Sequence, residues 1–537
     1  MTRRRTTVAA LAAAGVALAA SATIPASATS TAGPAAAERA AHDRGDADRG
    51  KDRGKGKHQR LLERWTQDTW TSFEALVVDE TGLPDDNIGG DLSPESRGGY
   101  TSPTNIGAYL WSTVVARDTG LIDDAEARDR MATTLESVAG LEKHEPSGMF
   151  YNWYDPATGA KLDALGEDDP VEPFLSSVDN GWLATGLLLA SNAEPSLADE
   201  ADAVREQMDF GCFYDPEVNQ IRGGFWDTDQ DDPNLPADDY CGMGTDVWYT
   251  GHHYGAFNTE PRIASYLGIA EGQIPAEHYF GPVRTFEPTC DWSWTETDAS
   301  GEWRSYLGVD VFEGTLPYRG MDIVPTWGGS MFEALMVPLF VPEEEWGPDS
   351  WAVNHPLYVQ GQIEHGLKEA DYGYWGFSPS NDPAGGYREY GVDQLGMDGP
   401  GYTSDQERTS VDQPYEGCRE GSEAPTEYGD GVVTPHASFL ALRYAPQEAV
   451  KNLRRIARDF DAYGPGGFYD AVAVRSGQVS ERYLALDQGM IMAALGNALD
   501  HDSVRGYVSD GAVEDSLRPL MEMEEFGSSG RGPSLGK

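Results

Sequence analysis

The stretch RYLALDQGMIMAALGNALD, Arg482 to Asp500, reads as a helix with a carboxylate at the head of its apolar face. The residues three, four, seven and eight positions after Asp487 are Met490, Ile491, Ala494 and Leu495, which helical spacing stacks on one side. An acid in that place has two readings. It can cap the helix, because Asp is favoured where helices start and its charge suits the positive end of the dipole, or it can be a catalytic acid or base. The same design recurs upstream. SSVDNGWLATGLLLA sets Asp179 above Trp182, Leu183, Gly186 and Leu187, and NTEPRIASYLGIA sets Glu260 above Ile263, Ala264, Leu267 and Gly268, with Pro261 in the first turn. If such helices run parallel around a ring, their acids converge at one mouth.

Further helices are expected in AYLWSTVVARDTG, DAEARDRMATTLESVAGL, MFEALMVPLF, PHASFLALRYA and QEAVKNLRRIARDF. No series of period-two strands competes with them, so the fold class expected is all-α with short β-hairpins in the loops. GMFYN at Gly148, GCFYD at Gly211 and GGFYD at Gly466 form an internal echo, with separations of 63 and 255 residues, close to one and four times a single unit. A unit of that size fits a helical hairpin plus one long loop. About six of them fill the folded region, which suggests a toroid of six hairpins, an (α/α)6 barrel.

The chain begins with Arg3, Arg4 and Arg5 before the apolar run VAALAAAGVALAA and the small residues ending at Ala28, the pattern of a secretory signal peptide over 1–28. Residues 29–60 lack large apolar side chains before Leu61 and read as a disordered linker. The catalytic domain is placed at 61–510 and a flexible tail at 511–537. Residues 1–60 hold 11 Lys and Arg against 5 Asp and Glu, which leaves 28 against 84 for the rest, a net of −56. That surface repels nucleic acid and anionic membrane and suits a neutral ligand. The expected product is a secreted, monomeric protein. Export permits disulfides among Cys212, Cys241, Cys290 and Cys418. Cys212 and Cys241 bracket one loop and are expected to pair.

Paired carboxylates beside stacking rings are what glycosidic cleavage needs. One carboxyl protonates the leaving oxygen while another activates water. Rings occur in loops where sugar recognition wants them: Trp153 and Tyr154 in NWYD, Trp226 in GGFWDTD, Trp248 and Tyr249 in DVWYTGHHYG, and Tyr374, Trp375 and Phe377 in DYGYWGFSPS. Glu333 is set aside, because SMFE reads as a capping box of Ser330 and Glu333. DTDQDDPNLPADD, from Asp227, alternates carboxylates like a calcium loop but has Asp232 where such a loop wants Gly, so it reads as a solvated acidic loop. His252, His253 and His436 sit in no metal-ligand spacing, and no metal is expected.

TSPTNIGAYL, FYNWYD, SSVDNGWLATGLL, WGGSMFEALM, YGYWGFSPS with GGYREYGV, GVVTPHASFLAL, GGFYDAV and YLALDQGM occur in an order that resembles the glucoamylase-like family containing bacterial endo-β-1,2-glucanases. Similar segments occur in the C-terminal part of cyclic β-1,2-glucan synthases. The resemblance runs from about Thr101 to Leu499. It implies an (α/α)6 barrel, inverting hydrolysis of a β-glucan without a cofactor, and Glu260 as general acid. For the base it points to Asp487 first and to Asp470 of GGFYDAV second. Asp179 would line the sugar subsites with Trp153, Tyr154, Trp182, Trp248, Trp327, Trp375 and Gln488. The closing motif departs from the IDQGP of the characterised glucanases, reading LDQGM here, and the loops from Gly223 to Tyr240 and from Gly396 to Tyr428 look like added decoration. These departures bear on the substrate, which leaves two other readings: hydrolysis of another glycan, such as an α-glucan or wall polysaccharide, and a glycan-binding barrel without chemistry.

Overall fold

The computed structural model describes residues 52–165, 170–230, 232–286, 299–397, 428–530 and 532. The expected signal peptide, residues 29–51 of the linker, Cys290, Cys418 and most of the loop from Gly396 to Tyr428 lie outside the described residues.

The described residues form a helix-rich protein. Its helices are α1 (Asp52–Leu76), α2 (Pro103–Asp118), α3 (Asp124–Gly140), α4 (Ser177–Ala193), α5 (Ala198–Arg205), α6 (Arg262–Ala270), α7 (Met331–Leu335), α8 (Glu343–Trp346), α9 (Trp351–Glu364), α10 (Pro435–Leu440), α11 (Pro446–Asp459), α12 (Ala485–Leu499), α13 (Ser503–Ser509) and α14 (Ala512–Met523). No described helix is long and apolar enough to cross a membrane.

Two kinds of helix alternate. α2, α4 and α12 are buried almost all round; in α12, Gln488, Gly489, Met492 and Ala493 are covered as well as the face below Asp487. A helix apolar on every side belongs inside, so the single stripe read from the sequence is too narrow. α11 instead buries Ala449, Val450, Asn452, Leu453 and Ile456 and turns its charged residues outward. α2 packs on α4, α4 on α6, α7 on α10, α10 on α12, and α12 back on α2. The α6–α7 contact is made by Arg262, which donates to the backbone carbonyls of Glu333 and Ala334 at 3.0 and 2.8 Å. Outside these lie α3 against α2, α5 against α4, α9 against α7, α11 against α10, α14 against α6 and α1 against α12. Small residues set the inner spacing. A methyl on Gly186 would lie 2.6 Å from the Cα of Gly107, and one on Gly107 2.4 Å from the Trp182 carbonyl. Trp111 Nε1 donates to the Gly489 carbonyl at 2.9 Å, which ties α2 to α12.

The echo motifs occupy equivalent places. Each follows an outer helix (α3, α5 or α11), puts Met149–Phe150, Tyr214–Asp215 or Gly467–Phe468 in a short antiparallel pair, and precedes the next inner helix.

Three expectations are corrected. The loops hold more than short hairpins: Ser300–Tyr306 and Val309–Tyr318 form a long antiparallel pair, with Met321–Ile323 as a third strand. Most of Val309–Tyr318 is buried on both faces, which removes the alternation that would have announced it. Its turn residues Leu307 and Gly308 have φ of 50° and 88°, the left-handed pair that a tight hairpin requires. Second, α1 begins at Asp52, inside the stretch read as linker. Third, the described part of 511–537, residues 511–530 and 532, is no loose tail. α14 packs on α6, and Glu524 is fully buried, accepting from Arg284 Nε at 2.7 Å and Tyr279 Oη at 3.0 Å. Sequence reading missed it because the counter-charge lies 240 residues away.

Cys212 and Cys241 are bonded, as their spacing suggests, joining the turn at Phe210–Phe213 to the loop before Val247–Tyr249. Replacing both with Ser releases a cross-link over a separation of 29 residues. The expected loss is roughly 3 to 4 kcal/mol by loop entropy, read as a lower urea midpoint. An unchanged midpoint contradicts it.

Candidate active site

The side chain of the third residue in a helix leans back past its N-terminus. Asp179 of α4, Glu333 of α7 and Asp487 of α12 all hold that position, as does Asn105 of α2. Asp487 is therefore not an N-cap; the cap position belongs to Leu484. Polar contacts link the helix starts in order. Thr104 Oγ1 of α2 donates to Asp179 Oδ1 at 2.6 Å, and Asn152 Nδ2 donates to Asp179 Oδ2 at 3.0 Å. Trp182 Nε1 of α4 donates to Glu260 Oε2 at 2.6 Å. The Glu260 amide, just before α6, donates to Glu333 Oε2 at 2.8 Å. Ser378 bridges α7 to α10, accepting from the Phe332 amide at 3.1 Å and meeting His436 Nε2 at 2.9 Å. His436 Nδ1 lies 2.8 Å from Thr434 Oγ1 and 3.1 Å from Asp487 Oδ2. Asp86 joins α12 to α2: its carbonyl accepts from the Ala485 amide at 2.8 Å and its Oδ1 from Asn105 Nδ2 at 2.9 Å.

Two acid pairs stand out. Burial first, and then the Glu333 charge, push the Glu260 carboxyl well up. Glu333 is itself raised to about 7 by burial, against the lowering by hydrogen bonds from Thr259 Oγ1 and the Glu260 amide. The capping box is thus half formed. Ser330 Oγ accepts from the Glu333 amide at 3.4 Å, while the Glu333 carboxylate reaches across to α6. In the other pair, burial and then the Asp487 charge push Asp470 well up, and burial raises Asp487 to about 7. The two carboxyls share one cluster with His436, with ligand atoms within 4.8 Å of one another, and their interaction raises Asp470 and lowers Asp487, which favours the proton on Asp470 and the charge on Asp487. Asp470 Oδ2 also accepts from the Asn381 amide at 2.6 Å. His436 stays neutral, held down to about 4 by burial.

Two tyrosines stand beside these acids, and Tyr387 feels members of both pairs. The Tyr387 hydroxyl is pushed up by burial and then by Asp487, Glu389, Asp470 and Glu260. Tyr254 is pushed up by burial and then by Glu260, Asp179, Glu333 and Glu389. Both pairs therefore act on one space between α4, α6, α7 and α12. Chemically, this end of the helices offers a protonated carboxyl, a carboxylate and phenols, which suits acid–base chemistry at near-neutral pH.

The structure brings Glu260, Asp487, Asp470 and Asp179 to this end, with Trp182 bonded to Glu260 and Trp153 following Asn152, its ring edge-on to Tyr100 at 5.3 Å. Trp248 lies half-buried on the strand paired with Gly224–Trp226, and Trp327 half-buried just before α7. Three expected ligand contacts are instead packing residues. Tyr154 is buried with its hydroxyl donating to the Glu142 carbonyl at 2.6 Å; Trp375 is buried beneath the loop that Asn452 holds by its carbonyl; Gln488 faces Ser72 and the Phe468 carbonyl, both at 3.4 Å. Sequence reading missed Glu333, His436, Tyr254, Tyr387 and Asp86. The echo could have flagged the pairs, since its fifth residues Asn152 and Asp470 each face the acid of the next inner helix.

His436, Asp470 and Asp487 place three ligand atoms within 4.8 Å of one another and could hold a cation. The described residues of the acidic loop do not gather in that way. Asp227 accepts from Tyr151 Oη at 2.7 Å, and Asp239 from the amides of Met243 and Gly244 at 2.6 and 2.8 Å. His253 Nε2 and Arg222 Nη2 each meet Asp215 Oδ2 at 2.9 Å, a packing role.

Residues 292–504 match the Glycoamylase family model, described as "Putative glucoamylase". The family resemblance is borne out. Residues 64–230 match a second model, a protein family of unknown function, DUF3131. The cyclic β-(1,2)-glucan synthase NdvB of Rhizobium meliloti is 23% identical over 84% of this chain, which spans 18% of that relative's length. Among solved structures, the endo-β-1,2-glucanase of Chitinophaga pinensis, in complex with sophorotriose and glucose, superposes with a TM-score of 0.58 at 18% identity, covering 87% of this chain and 97% of its own. That of Talaromyces funiculosus with β-1,2-glucan gives 0.59 at 13% identity, covering 87% and 88%. At these identities the shared property is the fold.

Proposed function

We propose that this protein is a secreted glycoside hydrolase that cleaves a β-1,2-linked glucan with inversion, in an (α/α)6 barrel, as a monomer and without a cofactor. The observation that carries the reading is the run of polar contacts that brings Glu260, Glu333, Asp470 and Asp487 to one end of the helices. Glu260, kept protonated, gives its proton to the leaving oxygen, and Asp487 takes one from water. The unbroken sequence of helix contacts, from α2 through α4, α6, α7, α10 and α12 and back, supports the barrel. The solved glucanases and the synthase all carry β-1,2-glucan in their names, which supports the linkage. Residues 1–28 support secretion.

The synthase relationship favours one second reading, transfer of the glycosyl group to another sugar instead of to water. One experiment separates these. Linear β-1,2-, β-1,3- and β-1,4-glucans and starch are incubated with the protein, reducing ends are counted, and the first-formed anomer is read by NMR. Release from the β-1,2-glucan alone, with the α-anomer first, is expected. Release only from another glucan overturns the substrate; longer chains without new reducing ends indicate transfer.

A further inference from the structure

We propose that Glu333 is a positioning residue for the acid: it and Glu260 form a two-carboxyl unit holding one proton, with the charge fixed on Glu333 and the proton on Glu260. This rests on the reading of Glu260 as general acid. It goes beyond it by assigning a task to a residue whose local sequence fits a helix cap.

The geometry carries the assignment. Glu333 Oε2 accepts from two donors on the segment that bears the acid, the Thr259 hydroxyl and the Glu260 amide. Glu260 receives one side-chain donor, the Trp182 indole on Oε2. Donors stabilise the charged form of the carboxyl that accepts them. The doubly served partner therefore keeps the negative charge, and Glu260 retains an oxygen for the proton. The donors also fix the acid in place, because Glu333 grips its backbone while the indole grips its side chain. The other charged or titratable groups acting on Glu260 are Asp179 of α4, Arg262 of α6, Tyr254 and Tyr387. Arg262 opposes the effect but is committed elsewhere, with Nε and Nη2 on Glu343 at 2.7 and 2.9 Å. Glu389 acts on Glu333 as well.

Glu333→Gln tests this, since the amide oxygen can still accept both donors while the charge is gone. The alkaline limb of kcat/KM, set by loss of the acid's proton, should move to lower pH by at least about one unit, with KM at acidic pH kept. Glu333→Asp retains the charge and should leave the limb in place. A limb that is unmoved in Glu333→Gln overturns the proposal. The Trp182 indole gives a readout without turnover: in 5-fluorotryptophan-labelled protein its 19F signal, assigned with Trp182→Phe, should titrate with Glu260. In the parent the part of its movement that Glu260→Gln removes should lie above about pH 7, where the charge on Glu333 is complete and still holds the acid's proton; a Glu260-dependent movement below that overturns the proposal even if no Glu333 variant folds. Glu260→Gln should abolish the titration. If that variant keeps full turnover while the 19F shift still depends on Glu333, the acid reading fails and the shared-proton pair stands.

Discussion

Glu260→Gln is expected to fold, bind glucan and turn over at least about 10² times more slowly than the parent. Gln has the size and shape of Glu, and its amide oxygen can still accept the Trp182 indole proton now 2.6 Å from Glu260 Oε2. The helix start is untouched, because α6 begins at Arg262 and the contact to Glu333 uses the Glu260 backbone amide. What the amide lacks is a proton to give the leaving oxygen. Rates under saturating glucan, with calorimetric binding to the same glucan, separate the two effects. Near-normal turnover would return Glu260 to a structural part.

Asp487→Asn is the second large effect. The residue has no capping duty to lose, and Asn cannot accept a proton from water, so most activity should vanish. Its effect on stability has the opposite sign to that of a paired surface acid. The folded-state value is raised to about 7, above that of an unfolded Asp. The native state then binds more protons than the unfolded one, so stability falls as pH rises from about 4 to 7, and the cost persists above that. Asn removes it. The variant should melt no lower than the parent at about pH 8 while being inactive. Parental activity should decline as pH falls through about 7, as Asp487 takes up its proton. Asp470→Asn should be the milder change if Asp470 already carries the shared proton; full loss there with activity retained in Asp487→Asn would exchange the two roles.

Much of the framework was legible because periodic apolar residues and helix starts are local signals. α2, α3, α4, α6, α11 and α12 fall where their patterns place them, and the acids above α4, α6 and α12 do gather at one end. The failures share a physical cause: meaning carried by distant partners. Ser330 and Glu333 satisfy a capping pattern, yet only the fold reveals that the carboxylate points to α6. His436 looks like a lone histidine until α10 is laid beside α12. Tyr154 and Trp375 have the loop setting of sugar platforms, but burial gives them no open face. The echo shows in the sequence as spacing, while the approach of two of its fifth residues, Asn152 and Asp470, to acids of the next inner helices shows only in the fold.

The Arg284–Glu524 contact also sets an order of events. A ribosome releases Arg284 long before Glu524, 240 residues later, an interval on the order of 10 to 50 s at ordinary synthesis rates. Until then the guanidinium has no Glu524 to accept its N–H donors, and burying it without that acceptor is strongly unfavourable. The region around Tyr279 and Phe257, whose rings lie against that guanidinium, must therefore stay open to water while the rest of the chain is made. Completion of this core is timed by the last part of the polypeptide to appear.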